Sequence, residues 1–241
     1  MTFDKEYYIM QPLDNPAWNA LTTLQTPFSL GSGRARRFKS NISPIAGLED
    51  AADPASWAAL SAVADSGPYI CIFNMADSVP MDGWTTDWRY TYKQMTITKA
   101  RYRIDHRITG RVPMRQLTLA DGSAMMALAA LAKPGPMELQ TVSLGTYFGI
   151  FDEAESLVAM AGERMRFDGA TEVSGVCTHP AHRGKRYAQL MVAAITENVL
   201  ERGDTAFLHV REDNLGAASV YEKLGFETRK VFDIAAVIKR K

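Results

Sequence analysis

Cysteine is scarce. The chain of 241 residues holds two, Cys71 and Cys177, too far apart for a local metal or redox motif. A disulfide framework is therefore excluded, and a reduced, cytoplasmic setting is expected. Neither sign of charge is in excess, since 27 basic side chains meet 27 acidic ones. That balance argues against a general nucleic-acid or membrane-surface binder. No apolar run approaches the ~18 residues a membrane span requires. The opening MTFDKEYYIM has no basic stretch ahead of an apolar one, so it does not read as a secretory signal. Internal repeats and low-complexity tracts are also missing. What remains is ordinary for a folded protein: 46% hydrophobic and 22% charged residues, enough for one large domain or two modest ones.

The first half carries few chemical signals. Residues 16–24 fit a short helix with Trp18, Leu21 and Leu24 on one side. Residues 53–65 fit a better one, with Asp53 as cap, Pro54 in the first turn, and Trp57 and Leu60 at helical spacing. Residues 69–73 and 89–98 read as strands. Arg34, Arg36, Arg37 and Lys39 form a basic run, read as a solvated loop or a site for an acidic group. Trp84, Trp88, Tyr90 and Tyr92 are core residues or the lining of a pocket. Gly31 and Gly33 do not make a dinucleotide fingerprint, because Arg36 stands where the third glycine belongs. Residues 101–113 read as the connection between the halves, giving a mixed α/β unit over 1–112 and a second domain over 113–241.

In the second half, residues 115–119 read as a strand and 121–133 as a helix capped by Asp121. Residues 146–151 and 157–167 read as a hairpin, 171–178 and 206–210 as strands, and 228–238 as the last strand or hairpin. The spacing predicts helices over 184–202 and 215–224, closed by Gly203 and Gly225.

The stretch 173–188, VSGVCTHPAHRGKRYA, is the most informative. A strand enters a short loop that opens a long helix. Helix-start amides lack intrahelical partners, and with the helix dipole they form an anion site. Gly184 permits close approach, and Arg183, Lys185 and Arg186 add positive charge, so a pyrophosphate is the natural ligand. The segment is no P-loop, because the earlier glycine and the following Ser or Thr are missing.

These residues resemble the pyrophosphate signature of the GNAT superfamily of N-acetyltransferases, Arg/Gln-x-x-Gly-x-Gly/Ala. Here it reads Arg183-Gly184-Lys185-Arg186-Tyr187-Ala188, followed by Asn214 and by Tyr221 ahead of Leu-Gly-Phe. The resemblance covers 114–241. It implies a GNAT-type mixed sheet flanked by helices, so the fold class expected is α/β (α+β) with a smaller mixed α/β domain in front. It implies acetyl-CoA as cosubstrate and no metal. Amides from Gly184 to Ala188 would hold the pyrophosphate, while Val176, Cys177 and Thr178 on a splayed strand, with Asn214, would meet the pantetheine. Arg186 replaces the signature's inner glycine, which is harmless in a helical backbone and damaging if φ must be positive.

Strand alternation places Glu172, Ser174, Val176 and Thr178 on one side and Cys177 on the other. The acceptor ammonium must lose a proton, and a partly buried carboxylate can take it. The resemblance makes Glu172 the candidate base and Tyr221, one helical face from Asn214, the candidate acid for the leaving thiolate. Cys177 reads as a buried thiol, since direct transfer needs no acyl-enzyme. His179 and His182 lack further ligands for a metal. The function implied is acetyl transfer to a small-molecule or peptide amine by direct attack in a ternary complex. A longer acyl group, a CoA-binding sensor without turnover, the identity of the amine and an oligomeric state all stay open.

Overall fold

Short β-branched and apolar runs between turn residues become strands, and a computed structural model describes residues 11–65, 69–73, 83–103 and 112–240 of the chain. In the first half the strands are β1 (Ser29–Leu30), β2 (Ala35–Phe38), β3 (Ile45–Leu48), β4 (Ile70–Phe73) and β5 (Trp84–Ile97). The second half adds β6 (Arg115–Gln116), β7 (Tyr147–Phe151), β8 (Leu157–Phe167), β9 (Ala170–Thr178), β10 (Thr205–Arg211) and β11 (Glu227–Lys239). All eleven pair into one sheet in the order β1-β2-β3-β4-β11-β5-β10-β9-β8-β7-β6. The β3–β4 and β9–β10 pairs are parallel and the others antiparallel. The fold is thus the mixed α/β class with a large mixed sheet. The sheet also runs across the expected boundary near residue 112. Strand β5 lies between β10 and β11, and β11 in turn pairs with β4. Most of the expected connection, 104–111, lies outside the described residues.

Among the described residues, five α-helices cover the sheet: α1 (Pro16–Thr22), α2 (Pro54–Val63), α3 (Gly122–Ala132), α4 (Tyr187–Glu201) and α5 (Leu215–Leu224). Their ends follow local chemistry. The Asp53 carboxylate accepts from the Ala55 amide at the start of α2 (2.9 Å). Ahead of α3, Thr118 and Asp121 form a capping box around a turn of 3-10 helix. Gly225 closes α5 at φ 101°, where an added Cβ would run into the Arg101 carbonyl.

Helices α4 and α5 bury Val192, Ile195 and Leu224 against Met95, Val173 and Leu208 on one face of the sheet. On that same face α2 packs Trp57 and Leu60 against Ala46, Ile72 and Val237. The opposite face carries α1, whose Ala17 and Leu21 join Phe38, Met165 and Phe207, and α3, whose Met125 and Leu128 meet Leu117 and Met160. At ~25 cal/mol per Å² of apolar surface, this two-sided burial is the main stabilising term.

Candidate active site

Strands β9 and β10 start as parallel neighbours and then part. They pair at Thr205↔Ala170, Ala206↔Thr171 and Phe207↔Glu172, while β9 continues to Thr178 and β10 to Arg211 without further pairing between them. One edge of the β9 backbone is therefore free beyond Glu172. The cause is local. Gly175 sits at φ 64°, a left-handed conformation that favours glycine, and the β8–β9 register slips there, from Gly162↔Ser174 to Met160↔Cys177. An extra residue in β9 makes a bulge, which bends a strand and re-aims its side chains.

That bulge overturns the simple alternation. Glu172 and Cys177 share the α1/α3 face, where Cys177 packs with Met160, Leu157 and Tyr147. Val176 turns instead toward the α4/α5 core, beside Val173. Burial pushes the Cys177 thiol up to about 12, so it is inert at neutral pH.

A groove of about 870 Å³ runs between β9, the start of α4 and α5. Val176, Cys177 and Thr178 line its inner part. Thr178 Oγ1 is buried there without a partner among the described residues, so a ligand donor or acceptor would satisfy it. Arg183, Gly184, Arg186, Tyr187 and Ala188 line the outer part, with Asn214 and Lys223 across from them. Lys185 does not line the groove; its Nζ stands 5.9 Å from the Tyr187 ring centroid. Asn214 lines the groove, and its Oδ1 caps α5 by accepting from the Ala217 amide (3.2 Å), so its side-chain NH₂ is not used in the cap.

The helix expected from residue 184 begins three residues later. Leu190 makes its first intrahelical bond, to the Arg186 carbonyl at 3.1 Å, so the amides of Tyr187, Ala188 and Gln189 precede the ladder. Arg186 is the N-cap residue at φ 62° and ψ 19°, left-handed rather than helical. This position does require a positive φ, and Arg186 occupies it at the steric cost that glycine avoids. Gly184, at φ 80°, needs its conformation rather than its space, because an added Cβ would meet nothing within 4 Å.

Where the groove reaches the splay it meets a second cavity, of about 80 Å³. Val176 and Tyr221 line both. The Tyr221 ring packs edge-on to Phe226 at 6.2 Å, and burial pushes its phenol up to about 12. It stays protonated across the neutral range. The first half supplies much of the other wall, including Cys71, Phe73, Trp88 and Tyr92, while the 134–136 loop adds Pro134 and Pro136. Of the expected aromatic set, Trp84 is core against Trp57, and Tyr90 stacks on Trp88. The basic run does not reach either cavity. Arg37 is buried, Arg34 pairs with Asp53, and Lys39 donates to the Pro27 carbonyl.

Glu172 is fully buried and does not line the cavity. It accepts from Arg164 Nε and Nη2 (2.8 and 2.7 Å) and from His209 Nδ1 (2.7 Å). Burial pushes its carboxyl up, but the Arg164 charge and the hydrogen bonds from Arg164 and His209 outweigh it and bring the group down to about 2. Arg164 accordingly stays charged. Burial lowers His209 despite the carboxylate, so the imidazole is neutral. Its tautomer follows from its neighbours. Gln94 Oε1 accepts from Arg229, which turns the Gln94 amide nitrogen toward His209 Nε2 at 3.2 Å, so Nε2 accepts and Nδ1–H donates to Glu172.

Arg164 and His209, which both line the cavity, are candidate site residues that sequence reasoning missed. The available signal was their setting, one ionisable residue each inside the apolar runs LVAMAGERMRF and TAFLHVR. His179 Nδ1 accepts from the Ala181 amide (3.2 Å) ahead of the 3-10 turn Pro180–His182.

Residues 147–233 match the family described as FR47-like protein. YobR, an uncharacterized N-acetyltransferase of Bacillus subtilis, is 35% identical over 82 residues, covering 34% of this chain and 32% of that protein. The chain thus spans about a third of that relative's length. A solved structure from Novosphingobium aromaticivorans, assigned to the GNAT family of acetyltransferases, superposes with a TM-score of 0.84 at 29% identity. It covers 95% of this chain and 99% of that one, so the likeness includes the first half. A GCN5-related N-acetyltransferase from Kribbella flavida shares the fold, with a TM-score of 0.62 at 18% identity over 100% of this chain and 97% of that one.

Proposed function

We propose that the chain is a GNAT-type N-acetyltransferase, as its FR47-like match and its likeness to YobR and to the Novosphingobium structure support, and that it moves an acetyl group from acetyl-CoA to an amine by direct attack in a ternary complex. The observation that carries the proposal is the junction. A long groove rich in amides and cations and a small cavity on the other face of the sheet meet at Val176 and Tyr221, through the gap between β9 and β10. A donor and an acceptor held in separate compartments would come together there, which removes the entropic cost of a bimolecular encounter.

The residues fit the cosubstrate. The amides of Tyr187, Ala188 and Gln189, with Arg183 and Arg186, suit a pyrophosphate. The Asn214 side-chain NH₂ and the unpartnered Thr178 hydroxyl suit the amide-bearing pantetheine arm. Acetyl-CoA, when bound, supplies an activated thioester. The Val176 backbone N–H donates to the carbonyl oxygen, whose charge grows as the amine adds. Tyr221 donates a proton to the sulfur as the carbon–sulfur bond breaks.

Glu172 takes a different part from the one its position on the strand suggests. A carboxylate at about 2, buried behind Arg164, is a poor base and lacks a path to the amine. We assign it the positioning of Arg164 and His209. Both His209 nitrogens are already hydrogen-bonded, so it too is no free base. The acceptor therefore reacts as its neutral amine and gives up its proton to water.

A thiol-release assay with acetyl-CoA across a panel of amines tests the reading. Release that depends on an amine supports it. Stabilisation by CoA with no release from any amine would favour a CoA-binding sensor, and faster release from longer acyl-CoAs would change the donor. No stabilisation by CoA would defeat all three.

A further inference from the structure

Given the acyltransferase reading, the cavity on the acceptor side narrows the choice of amine. Arg164 is the one fixed charge among the described residues that line it. Its Nε and Nη2 are taken by Glu172, whereas Nη1 donates to no described group. Glu172 stays behind the wall, so the buried pair turns its cationic side inward. The Phe73 ring stands 5.9 Å from the guanidinium carbon, and Trp88, Tyr92 and Ile234 line the cavity with it, beside Ser174 and His209. In such a setting a second cation is repelled, while a carboxylate gains a charge-assisted hydrogen bond strengthened by the low local dielectric. A phosphate would bring close to two negative charges to a single guanidinium. A monoanion is the better match.

We propose that the acceptor is a small primary amine that also bears a carboxylate, with Arg164 Nη1 binding the carboxylate while the amine faces the Val176–Tyr221 junction. Polyamines and aminoglycosides, which carry only cations, fall outside that class.

The test uses matched probes that differ by one carboxylate: L-alanine against ethylamine, L-leucine against 3-methylbutylamine, and L-phenylalanine against phenethylamine. Thiol release is expressed per neutral amine, which removes the difference in amine basicity, and binding to the CoA-loaded protein is followed by calorimetry. The full chain should prefer the carboxylate-bearing member of at least one pair by roughly tenfold or more, the equivalent of one good charged contact. The paired variant Arg164→Met with Glu172→Gln, which keeps the net charge, should erase that preference while CoA still raises the melting temperature. Equal or better use of the plain amines overturns the proposal. So does failure of every carboxylate-bearing probe to bind or react while CoA binds. Failure of CoA itself to bind would instead defeat the underlying acyltransferase reading. Should the paired variant not fold, the wild-type preference within each pair still decides.

Discussion

Replacing Arg164 with methionine strands a carboxylate where water does not reach. The side chains of Arg164 and Glu172 are 9% and 1% exposed and share two hydrogen bonds of 2.8 and 2.7 Å. Removing one partner of such a pair costs roughly 3–5 kcal/mol, because the other charge stays buried and unpaired. In a chain of this size each kcal/mol moves the melting temperature by about 2–4 °C, so the expected loss is roughly 6–20 °C. Glu172→Gln should fall in the same range, because it leaves the guanidinium uncompensated. Combining the two substitutions should restore most of the loss, since the new amide oxygen can still accept from His209 and no charge is buried. Acid sensitivity has a defined sign. The Glu172 carboxyl lies at about 2 in the folded protein and near ~4.3 when unfolded. Its contribution is present above the unfolded value and is lost as pH falls through the folded one. Wild type should therefore lose ground to the paired variant as pH drops below ~4. Circular-dichroism melts from pH 7 to pH 3 on all four proteins complete the cycle. Single variants that melt within 2 °C of wild type would refute the reasoning, as would a paired variant no better than the worse single one.

Tyr221→Phe should lower kcat about a hundredfold with the KM for acetyl-CoA and the melting temperature little changed; steady-state kinetics showing unaltered turnover would leave the ring a packing role only. Arg186→Gly should raise stability by about 1 kcal/mol, because the left-handed backbone no longer carries a Cβ, and a lower denaturant midpoint would contradict that. Gly175→Val, at φ 64° and with Met137 and Tyr147 atoms 3.1 Å from the new Cβ, should cost about 2 kcal/mol and most of the thiol-release activity; a variant matching wild type in both would remove the bulge from the explanation. With no free base near neutrality among the described cavity residues, kcat/KM should climb about tenfold per pH unit up to the pKa of the acceptor amine, whereas a plateau near pH 7 would point to a protein base.

Local chemistry was the readable layer. Asn214 and Gly225 mark the ends of α5 because a cap and a left-handed exit need those residue types, and the helix spans Leu215–Leu224 as the spacing predicts. Asp53 and Pro54 likewise mark the start of α2. The residues that line the groove were legible for a similar reason, since most of them belong to one short strand–loop–helix segment. Tertiary placement was not legible. Alternation along β9 fails at Gly175, where one left-handed residue slips the register and exchanges the faces of Val176 and Cys177. The start of α4 shifts because an arginine adopts the conformation that the family's signature reserves for glycine. The partners of Glu172 lie 8 and 37 residues away along the chain, and no local pattern connects them. Nor does any local signal show that Phe73, Trp88 and Tyr92 line the same cavity as Tyr221. That depends on β5 entering the sheet between β10 and β11, a long-range pairing.

The most direct measurement is a crystal structure of the full chain with acetyl-CoA. The pyrophosphate should lie on the amides between Gly184 and Gln189, and the thioester should lie between the Val176 backbone and the Tyr221 hydroxyl, open to the aromatic cavity. Density for the nucleotide outside that groove, or a sulfur remote from Tyr221, would contradict the junction as the place of acyl transfer.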